Sequence, residues 1–345
     1  MFLKNAWYVI GWSEEVGRAI LPRTVCNESI VVYRTAGGKV AALENSCCHR
    51  QLPLALGKLV GDNLQCGYHG LTFDPTGKCV AVPGQSTIPP EAGVRRYPAV
   101  EKYRMVWVWL GAPEQADEAN IPHLDRLANP DWVGSTGHKF HIDCNYELLN
   151  DNLMDLGHET FVHITSIGSE EVVAAGIKTT RDERAVYVER WMPDHDPAPF
   201  WKAAMKHAAQ YDGNVDRWQQ IEFIPPCNYL LHVGVAPVGT GAPQGDKSRS
   251  IEACVISINT PETEHTCWQF WAFMRNFQTD QRDVDEKFGT AVHDLLSEDV
   301  VILNEQQKNL LARNNIRKVD IGHDAGGIQA RRLIQRRLEE EGARA

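Results

Sequence analysis

The chain has 345 residues, 43% of them hydrophobic, and a formal net charge of −10 at pH 7. This composition is typical of a globular protein with room for two domains, and the acidic balance argues against a nucleic-acid or anionic-membrane surface. No apolar run approaches the ~20 residues that a transmembrane helix needs. Nine cysteines spread over so long a chain fit metal-bound or free thiols in a reducing cytoplasm.

Short β-type runs dominate the first part of the chain, for example at residues 30–33, 40–43 and 106–110. A polar, turn-forming stretch at 111–117 follows them and indicates a boundary. We therefore predict an all-β domain over residues 1–112 and a second domain over residues 113–345.

The second part of the chain mixes helical and strand-like segments. Residues 145–164 are predicted to be helical, and the strand-like runs lie at 185–191, 229–235, 251–259 and 267–274. A long helical stretch follows at 284–312, and a charged helix at 328–341. This order predicts an α+β fold, with helices packed on an antiparallel sheet.

Two segments of the first domain each carry one cysteine and one histidine: Cys47-x-His49 and Cys66-x-x-His69. Zinc fingers usually pair their cysteines and then their histidines, so the mixed pairs favour a [2Fe-2S] cluster with two thiolates on one iron and two imidazoles on the other. The pattern alone leaves zinc open as the alternative. Cys48 lies between two predicted ligands and is not assigned as one.

A second candidate metal site lies in the acidic segment around His158 and His163. Two histidines and one carboxylate with open positions are the usual ligands of non-haem Fe(II) oxygenases. On a regular helix these two histidines would point about 140° apart, so a shared metal needs a break, for which Gly157 offers local freedom. Two surface histidines on an acidic helix are the alternative interpretation.

The third ligand is predicted from burial. Asp299 has the apolar helical neighbours Leu295, Leu296, Ile302 and Leu303, so it lies in the middle of the buried stripe of its helix. An ionised carboxylate in that position needs a metal or another compensating charge. A buried aspartate satisfied by an arginine or by backbone donors is the alternative.

Taken together, these motifs resemble the oxygenase component of Rieske non-haem iron oxygenases over essentially the whole chain. The chain is most similar to the group that includes vanillate O-demethylase and toluenesulfonate methyl-monooxygenase. The resemblance implies a Rieske [2Fe-2S] domain followed by a helix-grip catalytic domain. It rests on the segments LENSCCHR, CGYHGLTFDPTGKCV and DNLMDLGHETFVH.

By position, the resemblance implies ligands for two iron centres. Cys47 and Cys66 would bind one iron of the cluster and His49 and His69 the other. His158, His163 and Asp299 would bind the mononuclear Fe(II). Asp155 matches the acid that bridges an iron-ligating histidine and a cluster histidine, a bridge that in relatives crosses the subunit interface of a head-to-tail homotrimer.

The implied activity is that of a monooxygenase in aromatic compound catabolism. An NAD(P)H-dependent reductase of the flavin or ferredoxin type would supply electrons, and O₂ would be used to hydroxylate the methyl group of a small aromatic acid. The expected reaction is O-demethylation of a methoxybenzoate such as vanillate, with release of formaldehyde. Aryl-methyl hydroxylation is one alternative, and a non-catalytic Rieske electron carrier is another.

The substrate pocket is predicted only by position. The strands at 229–235 and 251–259 and the helix at 284–303 should line it. The polar candidates for substrate binding are Asn152, His232, Ser257 and Thr290.

Overall fold

The computed structural model describes residues 1–163, 172, 174–313 and 319–343. The chain divides into two compact units, Met1–Pro122 with Thr260–Glu264, and His123–Asn259 with His265–Ala345. The first unit extends past the predicted boundary at residue 112, and the assignment of domains itself stays a prediction. Among the described residues, no helix is both long and apolar enough to cross a membrane.

The first unit is built from three small antiparallel sheets, with strand orders β1-β10-β9, β2-β3-β4 and β5-β6-β7-β8. Every residue of β10 is buried, which explains its unbroken run of apolar side chains. The all-β character predicted for this part of the chain is confirmed. The strands are β1 Trp7–Trp12, β2 Leu21–Val25, β3 Glu28–Arg34, β4 Val40–Glu44, β5 Lys58–Val60, β6 Asn63–Gln65, β7 Thr72–Phe73, β8 Cys79–Ala81, β9 Ala99–Lys102 and β10 Met105–Trp109.

The second unit contains a seven-stranded sheet with the order β11-β17-β16-β15-β14-β13-β12. The strands are β11 Val133–Ile142, β12 Ile177–Arg181, β13 Val186–His195, β14 Val215–Ile224, β15 Asn228–Pro237, β16 Ile251–Pro261 and β17 Cys267–Arg275. Its described α-helices are α1 Asp125–Ala128, α2 Tyr146–Leu153, α3 Glu159–Val162, α4 Pro199–Ala209, α5 Arg282–Leu311 and α6 Ala325–Gly342. The predicted α+β fold is confirmed.

Side-chain alternation along the strands gives this sheet two faces. Arg190, Gln219, Val233 and Ala253 lie in register on one of them. Glu159 of α3 hydrogen-bonds both Arg190 and Gln219, so the helices cover this side of the sheet. We call it the inner face, and the opposite side the outer face.

The four predicted strands of the second part correspond to β13, β15, β16 and β17, and the two predicted helices at its end correspond to α5 and α6. Three strands, β11, β12 and β14, and the helices α1 and α4 were not predicted from the sequence. The single helix predicted over 145–164 is wrong, because α2 ends at Leu153 and α3 begins at Glu159; residue 164 lies outside the described residues.

Candidate metal centres

Three predicted ligands come together in the second unit. One donor atom each of His158, His163 and Asp299 lies within 4.8 Å of the others. Asp299 Oδ1 is 3.6 Å from His158 Nε2 and 3.4 Å from His163 Nε2. His163 and Asp299 are almost fully buried, at 1% and 3% exposure, which confirms the predicted burial of Asp299. A buried cluster of two imidazoles and one carboxylate is a donor set suited to Fe(II).

The two histidines converge because they bracket a single helical turn. His158 is the residue before α3, and His163, the residue after it, leaves helical backbone geometry with φ −106° and ψ 34°. The imidazole centroids are 5.2 Å apart. The break therefore lies at His163 and not at Gly157, where we expected it. A Cβ at residue 157 would clash with the present position of the His323 ring, so a larger side chain there would require that exposed ring to move.

Hydrogen bonds orient both imidazoles. His158 Nδ1 lies 2.6 Å from the main-chain carbonyl of Asp155, which can only accept, so Nδ1 carries the proton and donates it. His163 Nδ1 in turn donates to the Glu298 carboxylate at 2.6 Å. Both Nε2 lone pairs are thereby left for a metal, which is the usual arrangement around metal-binding histidines.

The electrostatics at His163 are set by two carboxylates. Burial lowers its pKa, but hydrogen bonds and charge from Asp299 and Glu298 outweigh burial, so the pKa is raised above its usual value. Two acidic groups around one buried imidazole concentrate negative charge at this point. A bound cation would neutralise that charge.

Asn152 completes the surroundings of Asp299. Its amide nitrogen donates to Asp299 Oδ1 at 3.1 Å. Its own Oδ1 is buried, and none of the described residues hydrogen-bonds it. A buried oxygen without a donor costs free energy, and here it lies beside a carboxylate that faces two imidazole lone pairs. The side chains present therefore fit a mononuclear metal ion.

The two Cys/His segments of the first unit form loops with the same hydrogen-bond pattern. Cys47 N–H donates to the carbonyl of Leu52, and Gln51 N–H donates back to the carbonyl of Cys47, at 3.0 and 2.9 Å. In the second loop Cys66 pairs in the same way with Leu71 and Gly70, at 2.8 and 3.1 Å. Gln51 and Gly70, the matching residues of the two loops, both have positive φ, 56° and 76°.

These paired loops place the thiols inside and the imidazoles outside. Cys47 and Cys66 are 2% and 3% exposed and belong to the apolar core of the unit, whereas His49 and His69 are exposed, with ring centroids 4.6 Å apart. Burial raises the pKa of the Cys47 thiol to about 11. Thiols on one side and imidazoles on the other fit a [2Fe-2S] cluster with mixed ligands.

The spacing of these four donors favours a two-iron cluster over a single zinc ion. Within the described residues, His158, His163 and Asp299 are the one group of three or more such side chains with donor atoms at single-ion distances. Cys47, His49, Cys66 and His69 do not form such a group. A tetrahedral zinc would draw all four donors around one point, whereas a two-iron cluster keeps thiols and imidazoles apart.

Comparison with known proteins supports the same division of the chain. Residues 6–100 match the Rieske [2Fe-2S] domain family, and residues 142–340 match the family of the vanillate O-demethylase oxygenase C-terminal domain. The chain belongs to the Rieske oxygenases. It is thus a monooxygenase-type oxidoreductase with a Rieske [2Fe-2S] domain.

Named relatives of this Rieske oxygenase extend over nearly its full length. The vanillate O-demethylase oxygenase subunit of Pseudomonas sp. (strain HR199 / DSM 7063) is 40% identical, with 99% of this chain and 96% of the relative covered. The iron–sulfur subunit of the toluene-4-sulfonate monooxygenase system of Comamonas testosteroni is 36% identical over 99% and 98% of the two chains. A crystal structure of dicamba monooxygenase bound to 3,6-dichlorosalicylic acid is 33% identical, with a TM-score of 0.90 and 99% of both chains covered.

Asp155 of this Rieske oxygenase lies next to the candidate iron site. Its Oδ1 accepts the Gly157 N–H at 2.6 Å, and its Oδ2 is 3.9 Å from His158 Nδ1, beyond hydrogen-bond distance. The carboxylate is 27% exposed. It is therefore the main-chain carbonyl of Asp155 that holds His158, and the predicted bridge to a cluster histidine stays a prediction.

The four substrate-binding candidates occupy different places. Asn152 lies beside Asp299, as described above. Ser257 is on the inner face, but its hydroxyl donates to Asn259 at 2.8 Å and accepts from Gln269 at 3.0 Å. Thr290 is exposed and donates to the carbonyl of Glu286 within its own helix. His232 points to the outer face, since it pairs with Cys254, away from Ser257.

Two of these placements correct the sequence-based expectation. His232 and Thr290 do not lie at the candidate iron site. His232 is on the outer face of its strand, one residue out of phase with the inner face, and Thr290 is on the solvent side of its helix, so both point away from the interior. Burial, together with the positive charges of Arg126 and Lys247, lowers the pKa of His232 to about 4. Cys48 is exposed, and nothing in the structure assigns it a role.

Sequence reasoning did not identify Glu298 as the partner of His163, nor the polar group formed by Glu159, Arg190 and Gln219. For Glu298 the available signal was its position, directly before the predicted ligand Asp299 and at the edge of the buried stripe of the helix. For Arg190 the signal was a charged residue in a strand whose alternate residues are apolar.

Proposed function

We propose that this chain is the terminal oxygenase component that O-demethylates a methoxybenzoate such as vanillate, releasing formaldehyde. The observation that carries the proposal is the buried convergence of His158, His163 and Asp299 inside the part of the chain that matches the vanillate O-demethylase oxygenase family. The 40% identity to vanillate O-demethylase subunits supports this substrate class.

The cofactors of the proposed enzyme are a [2Fe-2S] Rieske cluster, held by Cys47, His49, Cys66 and His69, and a mononuclear non-haem Fe(II). When bound, these groups supply single electrons and the activation of O₂. His158, His163 and Asp299 hold the mononuclear ion. A crystal structure of dicamba monooxygenase with non-haem iron, 32% identical with a TM-score of 0.82, supports the identity of this ion.

Groups next to the ligands hold them in the tautomer and orientation that metal binding needs. The Asp155 carbonyl and the Glu298 carboxylate accept the Nδ1 protons of His158 and His163, so that each Nε2 faces the metal. The Asn152 amide donates to Asp299 and fixes that carboxylate. Groups that are already oriented need no reorganisation when substrate and O₂ enter.

The proposed reaction uses one molecule of O₂ and two electrons for each methoxy group. One oxygen atom of O₂ is inserted into a C–H bond of the methoxy group, and the other leaves as water after taking up two electrons and two protons. The product is a hemiacetal, in which the former methyl carbon carries a hydroxyl group. The bond between that carbon and the aryl-ether oxygen then breaks while the hydroxyl proton moves to that oxygen, which yields a phenol and formaldehyde. The electrons come from NAD(P)H through a separate reductase of the flavin or ferredoxin type.

We further propose a homotrimer in which Asp155 links His158 to His69 of a neighbouring subunit, and a cytoplasmic location. The exposed imidazole of His69 and the partly exposed carboxylate of Asp155 are both accessible for such a contact. No nucleic acid or membrane partner is part of the proposal.

Product analysis tests the function. The iron-replete chain, a matched reductase and NADH are incubated with a panel of methoxy- and methyl-benzoates and with toluenesulfonate, with anaerobic samples as controls. O-demethylation predicts formaldehyde and the matching phenol from methoxybenzoates. Benzyl alcohols without formaldehyde would favour methyl hydroxylation, the reaction type suggested by the 36% identical toluenesulfonate relative. Electron uptake without any product would indicate an electron carrier.

A further inference from the structure

The inner face of the sheet carries a buried ion pair close to the candidate iron site. Arg190 donates to Glu159 at 3.3 Å and to the carbonyl of Leu156 at 2.6 Å. Gln219 donates to the other Glu159 oxygen at 2.6 Å. Glu159 directly follows the predicted iron ligand His158 in the chain. Its charge is thus already matched by Arg190, and both of its oxygens are hydrogen-bonded.

A second guanidinium lies near this pair, and its buried Nε has no hydrogen-bond partner among the described residues. Arg217 is two residues before Gln219 on β14 and so points to the same inner face. It is 5% exposed, and none of the described residues hydrogen-bonds it. The charges that act on it are those of Glu159 and Arg190. Glu159 is hydrogen-bonded to Arg190, and Asp155 also acts on Arg190 by its charge. Among the described residues, none places a carboxylate in hydrogen-bond contact with Arg217, and a buried guanidinium without such a partner is costly unless a ligand balances it.

The surface between Arg217 and the iron ligands is apolar and partly open. Leu231, Val233 and Val255 lie on the inner face of β15 and β16, in the middle of the sheet, yet they remain partly exposed. Val233 and Val255 pack against the apolar cluster that contains Trp201 and Phe273. Central strand residues under a helix layer are normally buried, so their exposure indicates a cavity with apolar walls.

We propose that Arg217 binds the anionic group of the aromatic substrate, a carboxylate or a sulfonate, and so turns its methyl-bearing side toward His158, His163 and Asp299. The guanidinium fork matches either oxyanion with two parallel hydrogen bonds. The apolar side chains between the two ends suit a benzene ring. This inference rests on the proposed function and names the residue that selects for acids.

The test compares an acid with its neutral isostere. Kinetics are measured with 4-hydroxy-3-methoxybenzoate and with 4-hydroxy-3-methoxybenzamide for the wild-type chain, Arg217→Met and Arg217→Lys, and binding of both compounds is followed by calorimetry. Arg217→Met should raise KM and Kd for the acid about 10- to 100-fold and change those for the amide little, since one charged pair of hydrogen bonds is lost. Arg217→Lys should recover part of the loss.

Lys247→Met is the matched control. This variant also removes one positive charge. In the wild-type chain, however, the Lys247 ammonium lies over the ring of Trp218 and donates to Gln220, and both of these residues are on the outer face of the same sheet. The acid and amide constants of this variant should stay at wild-type values. A benzenesulfonate in the binding series shows which of the two oxyanions is preferred.

Stability separates a binding role from a structural one. Because none of the residues that the structure describes hydrogen-bonds Arg217, the ligand-free Arg217→Met chain should have the same Tm as wild type or a higher one. A marked fall in Tm with equal weakening of acid and amide would overturn the inference, as would unchanged acid binding. Arg217-dependent acid binding without formaldehyde release would instead overturn the proposed function alone.

Discussion

At the scale of single residues, the burial of a charge was the most informative signal in the sequence. Four apolar helical neighbours predicted that Asp299 is buried, and it is 3% exposed. Its contact with His158 and His163 agrees with the predicted ligand set, although the ligand role itself stays a prediction. The sequence could not predict Glu298 as the partner of His163, because that contact depends on how α5 is rotated against α3.

Glu298 gives a residue-scale prediction. Glu298→Gln should weaken mononuclear iron binding about 10- to 100-fold, because His163 loses the carboxylate that holds its tautomer and orientation. Titration of the iron-depleted chain with Fe(II) measures the affinity, and the visible absorption of the cluster should not change. Asp294→Asn is the control, an exposed carboxylate on the same helix. Equal affinities for the two variants would remove Glu298 from the site.

At the scale of elements, the spacing of apolar residues predicted the helices and strands in which that spacing is regular. The long helix α5 and the strands β13, β15, β16 and β17 follow from apolar patterns. The strand β14 was missed because Asp216, Arg217, Gln219 and Gln220 interrupt its apolar alternation. Arg217 and Gln219 lie on the inner face of the sheet, and Asp216 and Gln220 on the outer face. The hydrogen-bond partners of Asp216, Gln219 and Gln220 come from distant parts of the chain, so the sequence pattern of β14 alone does not reveal them.

The outer face of β15 gives a pH prediction. Burial, with Arg126 and Lys247, lowers the pKa of His232 from 6.5 to about 4. As pH falls below about 6.5 the unfolded chain binds a proton at this residue that the folded chain does not bind until about pH 4, so the free energy of unfolding falls across this window. His232→Gln should make that fall smaller, by up to about 3 kcal/mol between pH 7 and pH 4.

Urea unfolding at several pH values between 7 and 4 measures the slope. His123→Gln is the matched control, because the side chain of His123 is 80% exposed and should contribute little. If His232→Gln and His123→Gln show the same pH dependence as wild type, His232 is not held neutral by its surroundings.

At the scale of the whole molecule, the sequence motifs predicted both the fold and the family, because metal ligands have short, fixed spacings. The substrate side was not predictable in this way. Of the polar candidates, His232 and Thr290 point away from the interior, and the buried Arg217 was not identified. Which side chains line a cavity depends on strand register and helix rotation, and neither is encoded in a local motif.

Cooperation between subunits gives a whole-molecule prediction. Chains carrying His69→Ala should lack a working cluster, and chains carrying Asp299→Ala should lack the mononuclear iron, so each alone should release no formaldehyde. Co-expressed and copurified as mixed trimers, they should regain part of the activity, because the intact cluster of one chain serves the intact iron site of its neighbour. Mixed trimers that stay inactive would place the cooperating centres within one chain or disprove the trimer.

The most direct test of the proposed iron site is formaldehyde formation in a single turnover. The wild-type and Asp299→Ala chains are reduced chemically, freed of excess reductant and mixed with O₂ and 4-hydroxy-3-methoxybenzoate, with no reductase present. The wild-type chain should release formaldehyde as its cluster is oxidised. Asp299→Ala should keep the cluster absorption and release none. Formaldehyde from Asp299→Ala at the wild-type level would contradict the assignment of His158, His163 and Asp299 as the site of the reaction.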